Sequence, residues 1–145
     1  DLSVDDWPYE RAADRLLARL LSLRRRHPGR DLAVLTGGEV AVPLPGNLGI
    51  GGRNQQFALA CAQRIRGLPI TVLSAGTDGI DGNSPAAGAI VDGTTMTRAR
   101  ARGLDAASFL RRYDAFPLLD SLGCTVVTGP TGTNVRDLRI AVWTA

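Results

Sequence analysis

Lysine is missing from this chain, and all 17 basic side chains are arginine. A Walker A loop needs its lysine to reach the phosphates, and Schiff-base or lysine-base chemistry needs an amine, so the residues present exclude all three. Cys61 and Cys124 are too few for a disulfide framework and form no C-x-x-C pair; with a single histidine they make no zinc site. Both are expected as reduced core residues, and His27, between Arg26 and Pro28, as an exposed helix end. A nucleic-acid surface would be expected to interleave aromatics with its basic residues, and only 5% of the chain is aromatic, so no nucleic-acid partner is expected. No apolar run approaches the ~20 residues of a membrane span, and the N-terminus lacks a signal-peptide pattern. The expectation is a cytoplasmic protein with no membrane partner.

What is present fits one α/β domain. The chain has 145 residues, 44% of them hydrophobic and 21% charged. A domain of this size buries roughly two-thirds of its unfolded surface. The net charge of +3 is local in origin: Arg24, Arg25, Arg26 and Arg30 end one helix, and Arg98, Arg100, Arg102, Arg111 and Arg112 lie on another helical stretch. Arginines near helix C-termini read as solvated faces favoured by the macrodipole.

Residues 7 to 26 have helical spacing, with Ala13, Leu16, Leu17, Leu20 and Leu21 on one face, and "HPG" at 27 to 29 stops them. Strands are expected at Leu32 to Thr36, Val40 to Leu44, Ile70 to Leu73, Gly88 to Val91, Cys124 to Val127 and Leu138 to Trp143. The first two read as a hairpin, the second as an edge because of Pro43. Helices are expected from Gln55 to Ala62, Thr94 to Arg102, Asp105 to Arg112 and Asp114 to Leu122. Strands alternating with helices predict a three-layer α/β/α domain with a mixed, largely buried sheet over 32–145. Residues 1–31 are set apart as a helical appendage.

Three glycine-rich polar loops follow apolar strands: 46–54, 76–84 and 129–134. Ligand sites in α/β sheets gather in loops at one end of the strands. In the first, Gly51 and Gly52 let backbone N–H groups approach an anion at a helix start, and Arg53 adds a bidentate grip on phosphate or carboxylate. The same "GIGGRN" is a poor dinucleotide fingerprint, because Asn54 stands where the third glycine belongs. In the second loop, "SAGTDGIDGNS", Asp78 and Asp81 are the candidate carboxylates for holding Mg²⁺ or accepting a proton, with Thr77 beside them. Asp-Gly pairs also form plain turns, a reading that is stronger for Asp81 than for Asp78. The third, "TGPTGTN", offers Thr131, Gly132, Thr133 and Asn134 as a backbone nest for phosphate oxygens. Glu39, one of two glutamates, is a secondary candidate.

"LTGGEV", "GGRNQQFALA", "SAGTDGIDG", "AAGAIVDGTT" and "VVTGPTGTNVRDL" occur in an order and at spacings that resemble the MOFRL domain, over about residues 32 to 143. That domain is the C-terminal half of glycerate 2-kinases, ATP-dependent enzymes that make 2-phosphoglycerate. Some members carry the label hydroxypyruvate reductase. The resemblance implies a phosphotransferase site in a cleft between two α/β domains, with ATP and Mg²⁺ as cofactors and glycerate as substrate. It puts Arg53, Asn54, Gln55, Asp78 and the Thr131 to Asn134 loop at the cleft. Ile50 and Gln56 stand where the family pattern has Arg and Glu. A lysine-bearing N-terminal domain or subunit would supply the other half of the site, and a homo-oligomer is open. Two alternatives stand beside this reading: a non-catalytic module that binds an anion or nucleotide, and an oxidoreductase of the hydroxypyruvate reductase type.

Overall fold

In the computed structural model, which describes residues 5–43 and 49–145, helix α1 (Tyr9–Arg26) follows a short strand β1 (Trp7–Pro8). Its helical period turns Ala12, Ala13, Leu16, Leu17 and Leu20 inward, while Arg11, Arg15 and Arg19 face solvent. The buried side chains of α1 belong to the same apolar cluster as the strands and helices after residue 31. The helix therefore shares one core with the region it was expected to append to.

Six further strands follow in chain order: β2 (Leu32–Thr36), β3 (Val40–Ala41), β4 (Ile70–Gly76), β5 (Gly88–Asp92), β6 (Thr125–Val126) and β7 (Asp137–Trp143). Five of them form one sheet in the order β2-β7-β4-β5-β6, joined by antiparallel ladders. β7, the last strand in the chain, lies between β2 and β4 and pairs Asp137 with Gly76 at one end and Trp143 with Ile70 at the other. The parallel component is the separate pair β1–β3.

That pair replaces the expected hairpin of residues 32–36 with 40–44, whose last residue, Leu44, lies outside the described residues. Arg139, on β7, donates from Nη1 to the Gly37 carbonyl at 3.1 Å and from Nη2 to the Gly38 carbonyl at 2.6 Å. These bonds hold the chain in its course away from β2. The Asp6 N–H then meets the Glu39 carbonyl at 2.9 Å, which opens the β1–β3 pairing.

The helices α2 (Arg53–Arg64), α3 (Thr95–Ala101), α4 (Ala106–Arg111) and α5 (Ala115–Ser121) complete the described elements. α2 is central: Asn54 through Ala62 are all buried. It packs on β4 and β5, α1 packs on β2 and β7, and α3, α4 and α5 close around α2. Pro117 is tolerated because it is the third residue of α5, where its missing N–H would have no helical partner.

The α/β class, the mixture of pairings and the packing of helices on a sheet are as expected. Coverage is one-sided among the described residues. Ile70, Val72 and Ser74 point into the core, while Leu35, Ile90 and Leu138 on the other face are exposed. An antiparallel sheet can leave one face open, which the apolar strand runs alone did not reveal.

Candidate functional site

Residues 49–54 of the first glycine-rich loop, whose residues 46–48 lie outside the described residues, meet the second and third loops at the end of the sheet where β4 stops and β7 begins. Gly76, the last residue of β4, is in register with Asp137, the first of β7. The chain then turns at Thr77, whose N–H and Oγ1 both donate to the Arg136 carbonyl, at 3.0 and 2.7 Å. The Thr77 Oγ1 also accepts the Val135 N–H at 2.8 Å. From the third loop, the Thr131 Oγ1 donates to the Thr77 carbonyl at 2.5 Å and its N–H to the Asp78 carbonyl at 3.1 Å.

Two glycines permit this stitching. A Cβ on Gly79 (φ 90) would fall 2.0 Å from the Gly129 carbonyl oxygen, and one on Gly82 (φ 64) would fall 2.1 Å from that of Gly51. Only glycine allows backbone to approach backbone this closely at these dihedrals. The glycines are explained first by loop packing on loop.

The two aspartates of the second loop have different surroundings. Asp81 is 2% exposed. Its Oδ1 accepts from the Asn54 N–H at 3.0 Å and Asn54 Nδ2 at 3.3 Å, and its Oδ2 from the Gln55 N–H at 2.8 Å and Gln55 Nε2 at 3.0 Å. Burial pushes its carboxyl above the usual aspartate range, against these bonds. Asp81 is thus the cap of α2, filling the anion position that the sequence reading reserved for a ligand. Asp78 is half-buried, and its Oδ1 accepts one bond, from the Ile80 N–H at 3.1 Å. Its carboxylate faces the same point as the Asn54 amide: a Cβ on Gly76 would meet Asp78 Oδ1 at 3.0 Å and Asn54 Nδ2 at 3.7 Å.

Gly51, Asn54 and Gln55 are committed inside the loop cluster. The Gly51 N–H donates to Asn83 Oδ1 at 2.8 Å. Gln55 Nε2 also donates to Ser84 Oγ at 2.6 Å. Asn54 joins three elements: its Oδ1 accepts from Ser74 Oγ at 2.7 Å, and its Nδ2 donates to Asp137 Oδ1 at 3.0 Å. Gly52 occupies the position just before α2 in extended backbone, and the capping side chain there is Asp81. Thr131, Gly132, Thr133 and Asn134 are exposed.

Arg53 is the half-exposed cation of the site. Its Nε donates to Asp137 Oδ2 at 2.8 Å and its Nη2 to Asp137 Oδ1 at 3.0 Å, while Nη2 also reaches Glu39 Oε1 at 2.9 Å. The bonds to Asp137 raise its pKa further, against partial burial. The Asp137 side chain is fully buried and also lies 3.6 Å from Arg139 Nη2. Beside Arg53 opens a cavity of about 420 Å³ lined by Val40, Val42, Gln56, Asn83 and Tyr113 among others. Tyr113 holds a left-handed φ of 53, a strained conformation of the kind that collects at ligand sites.

Asp137, Arg139, Asn83 and Tyr113 were not singled out from the sequence. Arg139 carried a legible signal: at a two-residue spacing from Asp137 and Ala141 it occupies an inward position of a strand, where an arginine needs partners. Among the described residues no group of three His, Cys, Asp or Glu could hold a metal. The residues fit Mg²⁺ only in the form that uses one carboxylate, here Asp78, with waters and substrate phosphates.

An α/β domain with a polar loop cluster at one end of its sheet, built around an anchored arginine, is the class that the fold and site define. The chain belongs to the MOFRL family, which it matches over residues 32–137. It is 43% identical over 136 residues to a D-glycerate 2-kinase of Thermotoga maritima, covering 91% of this chain and 32% of that protein. With the human glycerate kinase it shares 42% identity over 75% of this chain and 22% of the other. A crystal structure of glycerate kinase from Thermotoga maritima superposes with a TM-score of 0.86 at 40% identity, over 98% of this chain and 34% of that one. The chain thus spans between about a fifth and a third of the length of these relatives.

Proposed function

We propose that this chain carries one side of a glycerate kinase site, in which Mg-ATP phosphorylates a hydroxyl of glycerate to give 2-phosphoglycerate. The observation that carries the reading is the anchored Arg53: a bidentate bond to buried Asp137 fixes the guanidinium while leaving it half-exposed at a cavity. Phosphoryl transfer relies on positioning and charge neutralisation, which a fixed guanidinium provides. Arg53 would bind a phosphate or the substrate carboxylate. Asp78 would hold Mg²⁺ or accept the proton of the attacking hydroxyl as the γ-phosphoryl passes to that oxygen and ADP leaves. The exposed loop Thr131 to Asn134, tied to Thr77 and Asp78, would cradle phosphate oxygens. Mg²⁺, when bound, supplies neutralisation of charge on the phosphates.

Because this chain covers only 22–34% of the relatives' length, the complete site in this reading takes a further, lysine-bearing half from a domain or subunit beyond these residues. A second reading is a module that binds an anion without catalysing: Arg53 already pairs with two carboxylates, Asp137 and Glu39, which cancels part of the positive charge that would neutralise a transferring phosphoryl group.

Titrating the chain separately with Mg-ATP, D-glycerate and NADH, and following amide chemical shifts, tests these readings. The expected result is shifts at Arg53, Thr77, Asp78 and Thr131 to Asn134 with Mg-ATP or glycerate, and phosphoryl transfer once a lysine-bearing half from a relative is added. Binding without transfer in that mixture supports the module. A response to NADH alone points to the oxidoreductase reading, and silence throughout overturns the proposal.

A further inference from the structure

Two carboxylates hold Arg53, and they hold it differently. Asp137 is fully buried, binds through both oxygens at 2.8 and 3.0 Å, and is itself tied to Asn54 at 3.0 Å. A carboxylate placed this way is a fixed part of the framework. Glu39 accepts one bond, at Oε1 from Arg53 Nη2 at 2.9 Å, and its side chain is 41% exposed.

The backbone of Glu39 is pinned independently of that side chain. Its N–H donates to Asp5 Oδ1 at 2.8 Å, and its carbonyl accepts from the Asp6 N–H at 2.9 Å. Asp5 is in turn paired with Arg136, whose carbonyl takes both bonds from Thr77. The Glu39 carboxylate can therefore rotate away without disturbing β1, β3 or the loop cluster.

An incoming carboxylate or phosphate oxygen is the same kind of acceptor as Glu39 Oε1. Both seek the guanidinium on its solvent side, and they repel each other at that range. We propose that Glu39 is a displaceable counter-ion on Arg53: it holds the guanidinium in place when the site is empty, and its charge sets how strongly and how selectively the site takes an anion. The inference rests on the reading of Arg53 as an anion-binding group. In it Glu39 is a specificity-determining residue, and the repulsion makes the site discriminate against the more highly charged ligand.

The test is binding of inorganic phosphate and, separately, D-glycerate to the wild-type chain, Glu39→Gln and Arg53→Ala, by calorimetry and by the Arg53 Nε–H signal. Glu39→Gln keeps size and removes charge, and Glu39→Ala serves as a second variant. Amide spectra verify that β1 and β3 are intact in each. The expected result is tighter binding in Glu39→Gln by about two- to fivefold, the scale of a partly exposed ion pair. The gain is larger for phosphate than for glycerate, because phosphate carries the greater charge. Unchanged or weaker binding in Glu39→Gln, with binding abolished in Arg53→Ala, overturns the inference and leaves the Arg53 reading intact. Binding equal in Arg53→Ala and wild type overturns that reading, and the inference with it. No binding in either wild type or Glu39→Gln overturns the inference, since freeing Arg53 then creates no site.

Discussion

Replacing Asp81 by alanine removes a buried carboxylate that accepts four N–H bonds, two from the backbone and two from side chains, at 2.8 to 3.3 Å. The loss of a helix cap costs about 1 kcal/mol. The Asn54 and Gln55 amides, both buried, would also lose acceptors, at about 1–3 kcal/mol for a donor left unsatisfied. Allowing for partial relaxation, Asp81→Ala is expected to cost about 3–5 kcal/mol, a large share of the ~5–15 kcal/mol that holds a typical domain folded. Asp81→Asn keeps one acceptor oxygen but turns an NH₂ toward two donors, and about 2–3 kcal/mol is expected. Asp78→Asn is the internal contrast. Asp78 is half-buried and its side chain accepts one N–H bond, so at most about 1 kcal/mol is expected. Urea unfolding followed by far-ultraviolet circular dichroism measures all three. With a slope of about 2 kcal/mol/M, Asp81→Asn should lower the midpoint by about 1–1.5 M and Asp78→Asn by under about 0.5 M. Equal midpoints for the two asparagine variants, with unchanged slopes, would refute the assignment of Asp81 as the cap of α2.

The remaining predictions probe other parts of the structure. Gly79→Ala should destabilise by about 2–4 kcal/mol, because the new Cβ meets the Gly129 carbonyl at a left-handed φ; the same unfolding assay reads the loss, and Thr131 amide shifts should show the second and third loops separating. Carboxyl carbon titration should find Asp81 above the usual aspartate midpoint of 3.8, where burial puts it. Asp92 should titrate below 3.8, because the Thr94 and Thr95 bonds and Arg98 outweigh its partial burial. The signs of linkage are opposite: the contribution of Asp92 is present above 3.8 and lost as pH falls through its folded pKa, whereas that of Asp81 is present below 3.8 and lost as pH rises through its own. Cys61 is fully buried, and burial pushes its thiol up to about 12, so iodoacetamide at pH near 8 should label it only as fast as the chain opens; rapid labelling under native conditions would refute the packing of α2.

Local pattern carried a long way in this chain. The 3.6-residue spacing of Leu16, Leu17 and Leu20 predicted α1, and the apolar run at Ile70 predicted β4, because each signal lies within a few neighbouring residues. The glycine-rich segments were legible as loops at strand ends, and those loops do converge. Their partners were not legible. Nothing in the spacing of Asp78 and Asp81 says that one caps a helix beginning at Arg53 while the other stays half-open, since the choice is made by contacts of Asp81 with Asn54 and Gln55, 27 and 26 residues away. Strand order was hidden for the same reason: a period of two tells which face a residue occupies, not which strand lies beside it. The hairpin expected after β2 failed on a long-range bond, since Arg139 is about a hundred residues from the two carbonyls that it holds.

By itself, then, the amino-acid sequence determined the class of elements, the glycine loops, the family resemblance and the absence of lysine from these residues, all of which depend on residue identity and near neighbours. Tertiary structure alone decided that β7 sits between β2 and β4, that Asp81 is spent on α2, and that Arg53 is shared between a buried carboxylate and an exposed one. Those outcomes depend on which distant segments close onto one another, and the free energy of closure is returned only when the whole core and its buried hydrogen bonds form together.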